Sequence, residues 1–342
     1  MSKHKIKVGV AGGGAIAQAS HIPGYAANPE FELTAIADPC AESLAQVRAK
    51  WPFNKEYSDY REMIETEKPD VVSVCTPNKF HADIAIFALE HGADVVLEKP
   101  IALSMKDGEA IKAAAERNGK RIFVCFSHRF NDMIAAAEKA LKEGKIGEPY
   151  MFRVRFAHGG PWPGWAKTDW FYSPELAGGG ALLDMAVHAF DLVRHLVGEV
   201  TAVSAKAATL RKDIALDDNI VALLEVGDRC MGYVDAGWTS RGGFSGVEIM
   251  GDNGFLLADY AKGKVSATYG VTSPDGSITM SEDVILQGGS RPHWGNQMAE
   301  FTRKLADGST PYPGIDDGLE ALRITLACYE SSREGKRIAI KR

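Results

Sequence analysis

The stretch VGVAGGGAIA, Val8 to Ala17, decides how the first half of the chain reads. A short apolar run goes straight into three glycines, and a helix-forming run follows. Gly12, Gly14 and Ala17 fit the pattern G-x-G-x-x-G/A, with Gly13 as an extra small residue and Ala15 and Ile16 opening the helix. Glycine permits a tight turn there and lets a pyrophosphate approach the backbone, where a helix N-terminus favours negative charge. A glycine triplet alone is weak evidence. Here it ends a strand, and an acid, Asp38, closes the next strand at about the 20-residue separation a dinucleotide site asks for. Asp38 in that place accepts hydrogen bonds from the adenosine ribose and repels a 2′-phosphate, so NAD is expected over NADP. It also suits a cap on the helix starting near Cys40, and the two roles are compatible.

Working outward, IKVGVAG, FELTAIAD, DVVSVCTP, DVVLEKP and RIFVCFS read as strands, and helix-patterned segments lie between them. Near-continuous apolar strands alternating with helices predict a doubly wound parallel α/β sheet. We assign residues 1–130 to this Rossmann-type domain. Beyond it, EPYMFRVRFAH, TAVSAKAATL, NIVALLEV, RCMGYVDAGWT, GVEIMGD and FLLADYA read as strands with hairpin punctuation, interrupted by one long helical segment from Gly180 to Val197. Residues 131–342 are therefore expected to form an α+β domain with an open-faced, mostly antiparallel sheet. The last helix and strand are expected to pack back on the first domain. So few helices cover only one face of that sheet, so a second copy of the chain is expected on the other.

Composition narrows the function classes. The chain has 342 residues, 45% apolar and 25% charged, with a net charge of -6. Mild acidity argues against a nucleic acid or an anionic membrane as the main partner. Five scattered cysteines with no CxxC pair read as reduced thiols, neither a disulfide framework nor a zinc site. The opening residues carry too short an apolar run for a signal peptide, and no long apolar run reads as a membrane span, so a cytoplasmic protein is expected.

Three further motifs carry chemistry. Thr76 and Asn78 follow the third strand, at the edge where open α/β sheets bind ligands, and His81 opens the next helix beside them. Glu98, Lys99 and Pro100 end the fourth strand on the same rim. Two charges and a proline after an apolar run are costly if merely buried, so the lysine is read as aimed at a ligand. In ELAGGGALLDMAVHAFDLVRHLVG, Asp184 and His188 are spaced i, i+4 with Asp191 beyond them, a polar stripe on an apolar helix. A histidine one turn from a carboxylate is an oriented base. The stripe also suits a divalent metal, but no further Cys or His falls close by, and no metal is expected.

These motifs together resemble the Gfo/Idh/MocA oxidoreductase family, the group of glucose-fructose oxidoreductase and inositol 2-dehydrogenase. The resemblance spans the chain through AGGGAIA, TPNKFHADIA, EKP, GGGALLDMAVH and EIMGDNGFLLAD. It implies a Rossmann domain followed by an open-faced mixed sheet, with residues 131–342 serving substrate binding and oligomerisation, and homodimers or homotetramers built through that sheet. It also implies Lys99, Asp184 and His188 as the catalytic group, with SHRF placing Arg129 near the substrate. Ala186 departs from the glycine usual in D-x-G-x-H. The resemblance leads to an NAD-dependent dehydrogenase acting on a sugar or cyclitol hydroxyl. Relatives that cleave glycosides by transient oxidation, and relatives that only bind a sugar or nucleotide and regulate a partner, are the alternatives. The cofactor contacts are expected from Gly12, Gly14, Ala15, Ile16, Asp38, Thr76, Asn78, His81, Glu98 and Lys99. Trp162, Trp165 and Trp170, in a loop of no assigned subfamily, are candidates to stack on a sugar face or to fill core; Trp165 and Trp170 join Lys99, Arg129, Asp184 and His188 as expected substrate contacts.

Overall fold

The computed structural model describes residues 5–166, 168–289 and 293–342, without the side chains of Pro163 and Trp165. It divides into two units. The first takes the described part of Met1–Ser127 together with Glu175–Gly178 and Trp294–Leu322; the second takes His128–Pro174, Gly179–His293 and Arg323–Arg342.

The first unit is built on a parallel sheet of β1 (Ile6–Ala11), β2 (Phe31–Ala37), β3 (Lys55–Tyr57), β4 (Val71–Val74), β5 (Asp94–Leu97) and β6 (Ile122–Val124). Their order is β3-β2-β1-β4-β5-β6, every neighbouring pair parallel, which is the doubly wound arrangement. Val8, Val10, Val72, Val74, Val95 and Val96 are wholly buried, as strands covered on both faces require. The chain switches direction across the sheet between β1 and β4, so their C-terminal ends form the ligand edge. β3 was not foreseen: its sequence is KEY, a three-residue edge strand with no apolar run to betray it.

Near its end the chain returns to the first unit, which takes the start of the last helix, Ile315–Glu334, as far as Leu322. Helix Trp294–Asp307 belongs to the first unit, where Phe301 tilts against Phe123 with ring centroids 5.2 Å apart and Met298 lies over Gly24. A Cβ on Gly24 would come 2.4 Å from the Met298 Cβ, so only glycine permits this close approach. The final strand does the opposite and pairs in the second unit's sheet.

That sheet contains β7 (Pro149–Ala157), β8 (Val200–Ala208), β9 (Asn219–Val226), β10 (Cys230–Gly237), β11 (Gly246–Gly251), β12 (Gly254–Asp259), β13 (Lys264–Thr272), β14 (Ile278–Gln287) and β15 (Ile338–Ala339). The order is β14-β13-β12-β11-β7-β10-β9-β8-β15, antiparallel except for the β7–β10 pair. β13 and β14 escaped the sequence reading because glycine, serine, threonine and acids dilute any apolar alternation. One face packs Phe152, Val154, Leu224, Ile249 and Leu256 against Ile134, Phe190 and Leu192 of the covering helices. The other exposes Val221, Leu223, Met231 and Val284, with the ion pairs Arg153–Glu248 at 2.7 Å and Arg155–Asp235 at 3.1 Å. Along β9 the period-2 pleat sends Ile220, Ala222 and Leu224 inward and Val221 and Leu223 outward.

The helix expected from Gly180 to Val197 forms as a π-wound turn, Leu182–Ala186, running into α-helix Val187–Leu196. By length and composition alone the run Pro174–Leu196 would pass as a membrane span, but most of it is buried inside the protein.

Candidate active-site residues in each unit

In the first unit the glycine loop has the form a phosphate cradle requires. Gly12 sits at φ 94°, and a Cβ there would come 2.6 Å from the Cys75 carbonyl oxygen. A Cβ on Gly14 would meet nothing within 4 Å, so the loop is open on that side. Ala15 is exposed and Ile16 half-buried at the start of the following helical run. Asp38 accepts the Gly13 N–H on Oδ2 and the Cys40 N–H on Oδ1, both at 2.8 Å. It thereby shapes the loop and the turn that leads into the next helix, whose N-cap is Cys40, without capping that helix as expected, and a carboxylate has lone pairs beyond those two.

Thr76, at the C-terminal end of β4, has a buried hydroxyl with no hydrogen-bond partner among the described residues. An orphaned hydroxyl, an open glycine cradle and an acid at the end of β2 along one sheet edge fit a bound dinucleotide. Asn78 is turned elsewhere: its amide donates to the Ala177 carbonyl at 2.9 Å and ties down the segment Glu175–Gly178. His81 is a correction. Its Nδ1 lies 2.7 Å from the Pro100 carbonyl and its Nε2 2.9 Å from that of Thr76, and the ring is buried. Both ring nitrogens face backbone carbonyls, only one of which can accept the single N–H of a neutral ring, so neither nitrogen is turned towards a cofactor.

Glu98 has two partners within the first unit. One carboxylate oxygen lies 3.1 Å from His21 Nε2, and the other accepts the Lys99 N–H at 3.3 Å. The Lys99–Pro100 peptide is cis, and Lys99 is half-buried at the rim.

In the second unit Asp184 is half-buried and His188 is buried. The Trp238 indole N–H donates to Asp184 Oδ2 at 3.1 Å. The ring of His188 meets that of His128 edge-on at 4.8 Å, and His128 in turn stacks on Phe156 and on His293, each at 4.6 Å. The last of the three glycines before the helix is held from outside. Asp217 accepts the N–H groups of Gly180 at 3.0 Å and Leu182 at 2.7 Å, and the Tyr329 hydroxyl donates to it at 2.8 Å. This acid therefore satisfies donors that a helix N-terminus leaves open.

Arg129 was expected near the substrate. The structure gives it a bidentate ion pair with Asp191, at 2.6 and 2.9 Å, both side chains almost fully buried. Asp191 thus leaves the polar stripe and neutralises a buried guanidinium, a pair that would be costly to break. In the tryptophan-rich loop, Trp162 is half exposed and anchored through its backbone by Tyr172 and by Lys212 at 2.9 Å. Trp170 stacks on Phe171 at 3.8 Å, which occupies one ring face. The expected Trp165 contact lies outside the described side chains. Asp218 accepts the N–H groups of Leu210, Arg211 and Lys212 at 2.7 to 2.8 Å, which shapes the loop that carries Lys212.

The sequence reading missed Trp238, Asp217, Tyr329, His21, His128 and His293. Each lies far along the chain from the group it touches, so no local spacing could reveal it. The one available signal was polarity out of place: His21 interrupts the apolar helix AIAQASHIPGY.

Comparison with known proteins agrees with these two units. Residues 6–126 match the oxidoreductase family with an NAD-binding Rossmann fold, and residues 134–257 match the GFO/IDH/MocA C-terminal domain. Levoglucosan dehydrogenase of Pseudarthrobacter phenanthrenivorans is 29% identical over 378 residues, 96% of each chain. Myo-inositol 2-dehydrogenase of Thermotoga maritima is 25% identical over 315 residues, 90% of this chain and 91% of its own. A solved structure of levoglucosan dehydrogenase in complex with NADH and levoglucosan is similar with a TM-score of 0.87 at 25% identity, covering 99% of this chain and all of that one. With both family models matched in sequence order, and the glycine loop and Asp38 in the first of them, the chain belongs to the Gfo/Idh/MocA family of oxidoreductases and carries its NAD-binding Rossmann fold.

Proposed function

We propose that this protein is an NAD-dependent dehydrogenase that oxidises a hydroxyl of a sugar, a cyclitol or a sugar derivative. The observation that carries the reading is the pair Asp184 and His188 on one helix, with the carboxylate held by Trp238, in a chain similar along its whole length to a dehydrogenase solved with NADH and levoglucosan.

NAD, when bound, accepts the hydride. Gly12, Gly14, Ala15 and Ile16 would hold its phosphates, Asp38 its adenosine ribose, and Thr76 with its free hydroxyl another polar group. His188 takes the proton of the substrate hydroxyl as a general base, and Asp184 stabilises the imidazolium that results. Lys99 holds the reacting oxygen with its ammonium. The exposed apolar face of the second sheet is covered by another copy of the chain, giving a homodimer or homotetramer. The free cysteines, three of them buried, suit a reducing cytoplasm.

The test is purified protein with NAD and a panel of levoglucosan, myo-inositol, D-glucose and D-apiose, followed by aryl glycosides. Net NADH should form in proportion to the sugar consumed. Aryl alcohol release without net NADH would replace the dehydrogenase with a redox glycosidase. Silence in both channels, with NAD and sugar bound, would replace it with a sensor.

A further inference from the structure

We propose that His21 is a positioning residue for Lys99, acting through the carboxylate of Glu98. The proposal rests on the reading of Lys99 as the group that holds the reacting oxygen.

Four side chains form a continuous chain of hydrogen bonds in the first unit. Tyr25 and Ser73 share one at 2.8 Å, Ser73 Oγ lies 3.1 Å from His21 Nδ1, and His21 Nε2 lies 3.1 Å from Glu98 Oε1. The other oxygen of Glu98 accepts the Lys99 N–H. Tyr25, Ser73 and His21 have no exposure at all. A carboxylate at the end of an apolar strand is costly unless it is hydrogen-bonded, so the imidazole fixes where Glu98 points. The chain ties the helical run after the glycine loop, the middle of β4 and the end of β5 together. On the far side of Lys99, His81 holds the Pro100 carbonyl at 2.7 Å. The residues before and after Lys99 are therefore both gripped by buried imidazoles.

Two other readings of the same cluster are weaker. A proton relay needs an exit, and this chain ends at Tyr25, whose burial holds its hydroxyl protonated far above the usual range. A metal centre is suggested by Cys125, since donor atoms of His21, Glu98 and Cys125 all lie within 4.8 Å of one another. Both nitrogens of His21 are already engaged, however, and burial keeps the Cys125 thiol protonated. An ion would have to displace the His21–Glu98 bond. A static brace accounts for the bonds as they stand.

The test compares His21→Phe, which removes the hydrogen bonds, with His21→Gln, whose amide can donate to Glu98. Activity is read with NAD and the sugar panel above, and Lys99 reactivity by acetic anhydride labelling and mass spectrometry. His21→Phe should lower kcat by about 10- to 100-fold, the scale of a reacting group misplaced by about 1 Å. KM and NAD affinity should stay within about twofold, and His21→Gln should recover most of the loss. Acylation of Lys99 should change several-fold in His21→Phe while other lysines label as before. Added to Lys99→Met, His21→Phe should cost nothing more, because both remove the same contribution. An additive loss, or unchanged turnover and labelling in His21→Phe, would overturn the proposal. So would a thiolate-to-cobalt absorption band on adding Co²⁺, which would make the cluster a metal centre. If Lys99→Met itself keeps full activity, the role of Lys99 fails, and the labelling still reports whether His21 fixes it. Should His21→Phe not fold, Tyr25→Phe and Ser73→Ala break the far end of the same chain. They should give a smaller loss of kcat with the same unchanged KM; full turnover in both would overturn the proposal.

Discussion

Trp238, wholly buried just beyond β10, donates its indole N–H to Asp184 at 3.1 Å. A hydrogen bond to a charged group contributes about 1.5–3 kcal/mol. Here it fixes which way the carboxylate of the Asp184–His188 pair faces. Trp238→Phe keeps an aromatic ring in the core and removes the N–H. We expect kcat to fall by about 10- to 100-fold with NAD affinity intact, measured by steady-state kinetics beside a fluorescence titration. Unchanged turnover would show that Asp184 is held without the indole.

Asp38 is read as the discriminator between the two nicotinamide cofactors. NAD should bind far better than NADP to the unmodified protein. Asp38→Ser should narrow the gap by removing the charge that repels a 2′-phosphate. Because Asp38 also accepts the Gly13 and Cys40 N–H groups, some loss of thermal stability should accompany the change. Equal affinities in the unmodified protein would remove Asp38 from this role.

Gly180 should not tolerate a side chain. A Cβ there would lie 1.9 Å from the Asp217 carbonyl oxygen, and Asp217 is the residue that holds the start of the helix carrying Asp184 and His188. Gly180→Ala should destabilise the protein by about 1–3 kcal/mol or more, as overpacking does. Tyr329→Phe, which removes one hydrogen bond to Asp217, should cost about 1 kcal/mol. Urea denaturation of both variants measures the difference, and an Ala variant as stable as the parent would contradict the close approach.

Stability should fall on the acid side partly through His81. Burial lowers its pKa below the ordinary value of 6.5. Lys99 adds to that, and the Pro100 and Thr76 carbonyls and Glu98 oppose it. As pH falls, the unfolded chain therefore binds the proton before the folded one does. The contribution of His81 is complete above about pH 6.5 and is lost as pH drops towards the lowered folded value. The melting temperature should fall between pH 7.5 and 5.5, and by less in His81→Gln. An identical fall in both proteins would place the acid limb elsewhere.

The outward face of the second sheet should be an interface. Leu223 and Met231 are 60% and 62% exposed there, more than an isolated apolar residue explains when Val221 and Val284 accompany them. Light scattering should report a dimer or larger at micromolar concentration, and Leu223→Asp should weaken it while the chain stays folded. A monomer in the unmodified protein would end this reading.

The first sheet was legible because its strands are buried on both faces, so each announces itself as an apolar run between helices. The glycine loop and Asp38 were legible for a related reason: backbone turns and strand ends leave their mark in local spacing. Asp184 and His188 stood out as polar residues on an apolar helix. β3 and β14 were not legible, since an edge strand and a doubly exposed strand place no apolar pattern in the chain.

Only the folded structure decided what the other polar groups do. Arg129 and Asp191 are far apart in sequence, and their pairing in space makes a buried brace. His81 faces two carbonyls, and Glu98 meets His21 across the sheet. Sequence alone determined which residues are too polar to be simply buried, because desolvation is a property of the side chain itself. The partner that compensates each one was decided by the tertiary structure, because a hydrogen bond depends on distance in space and not along the chain.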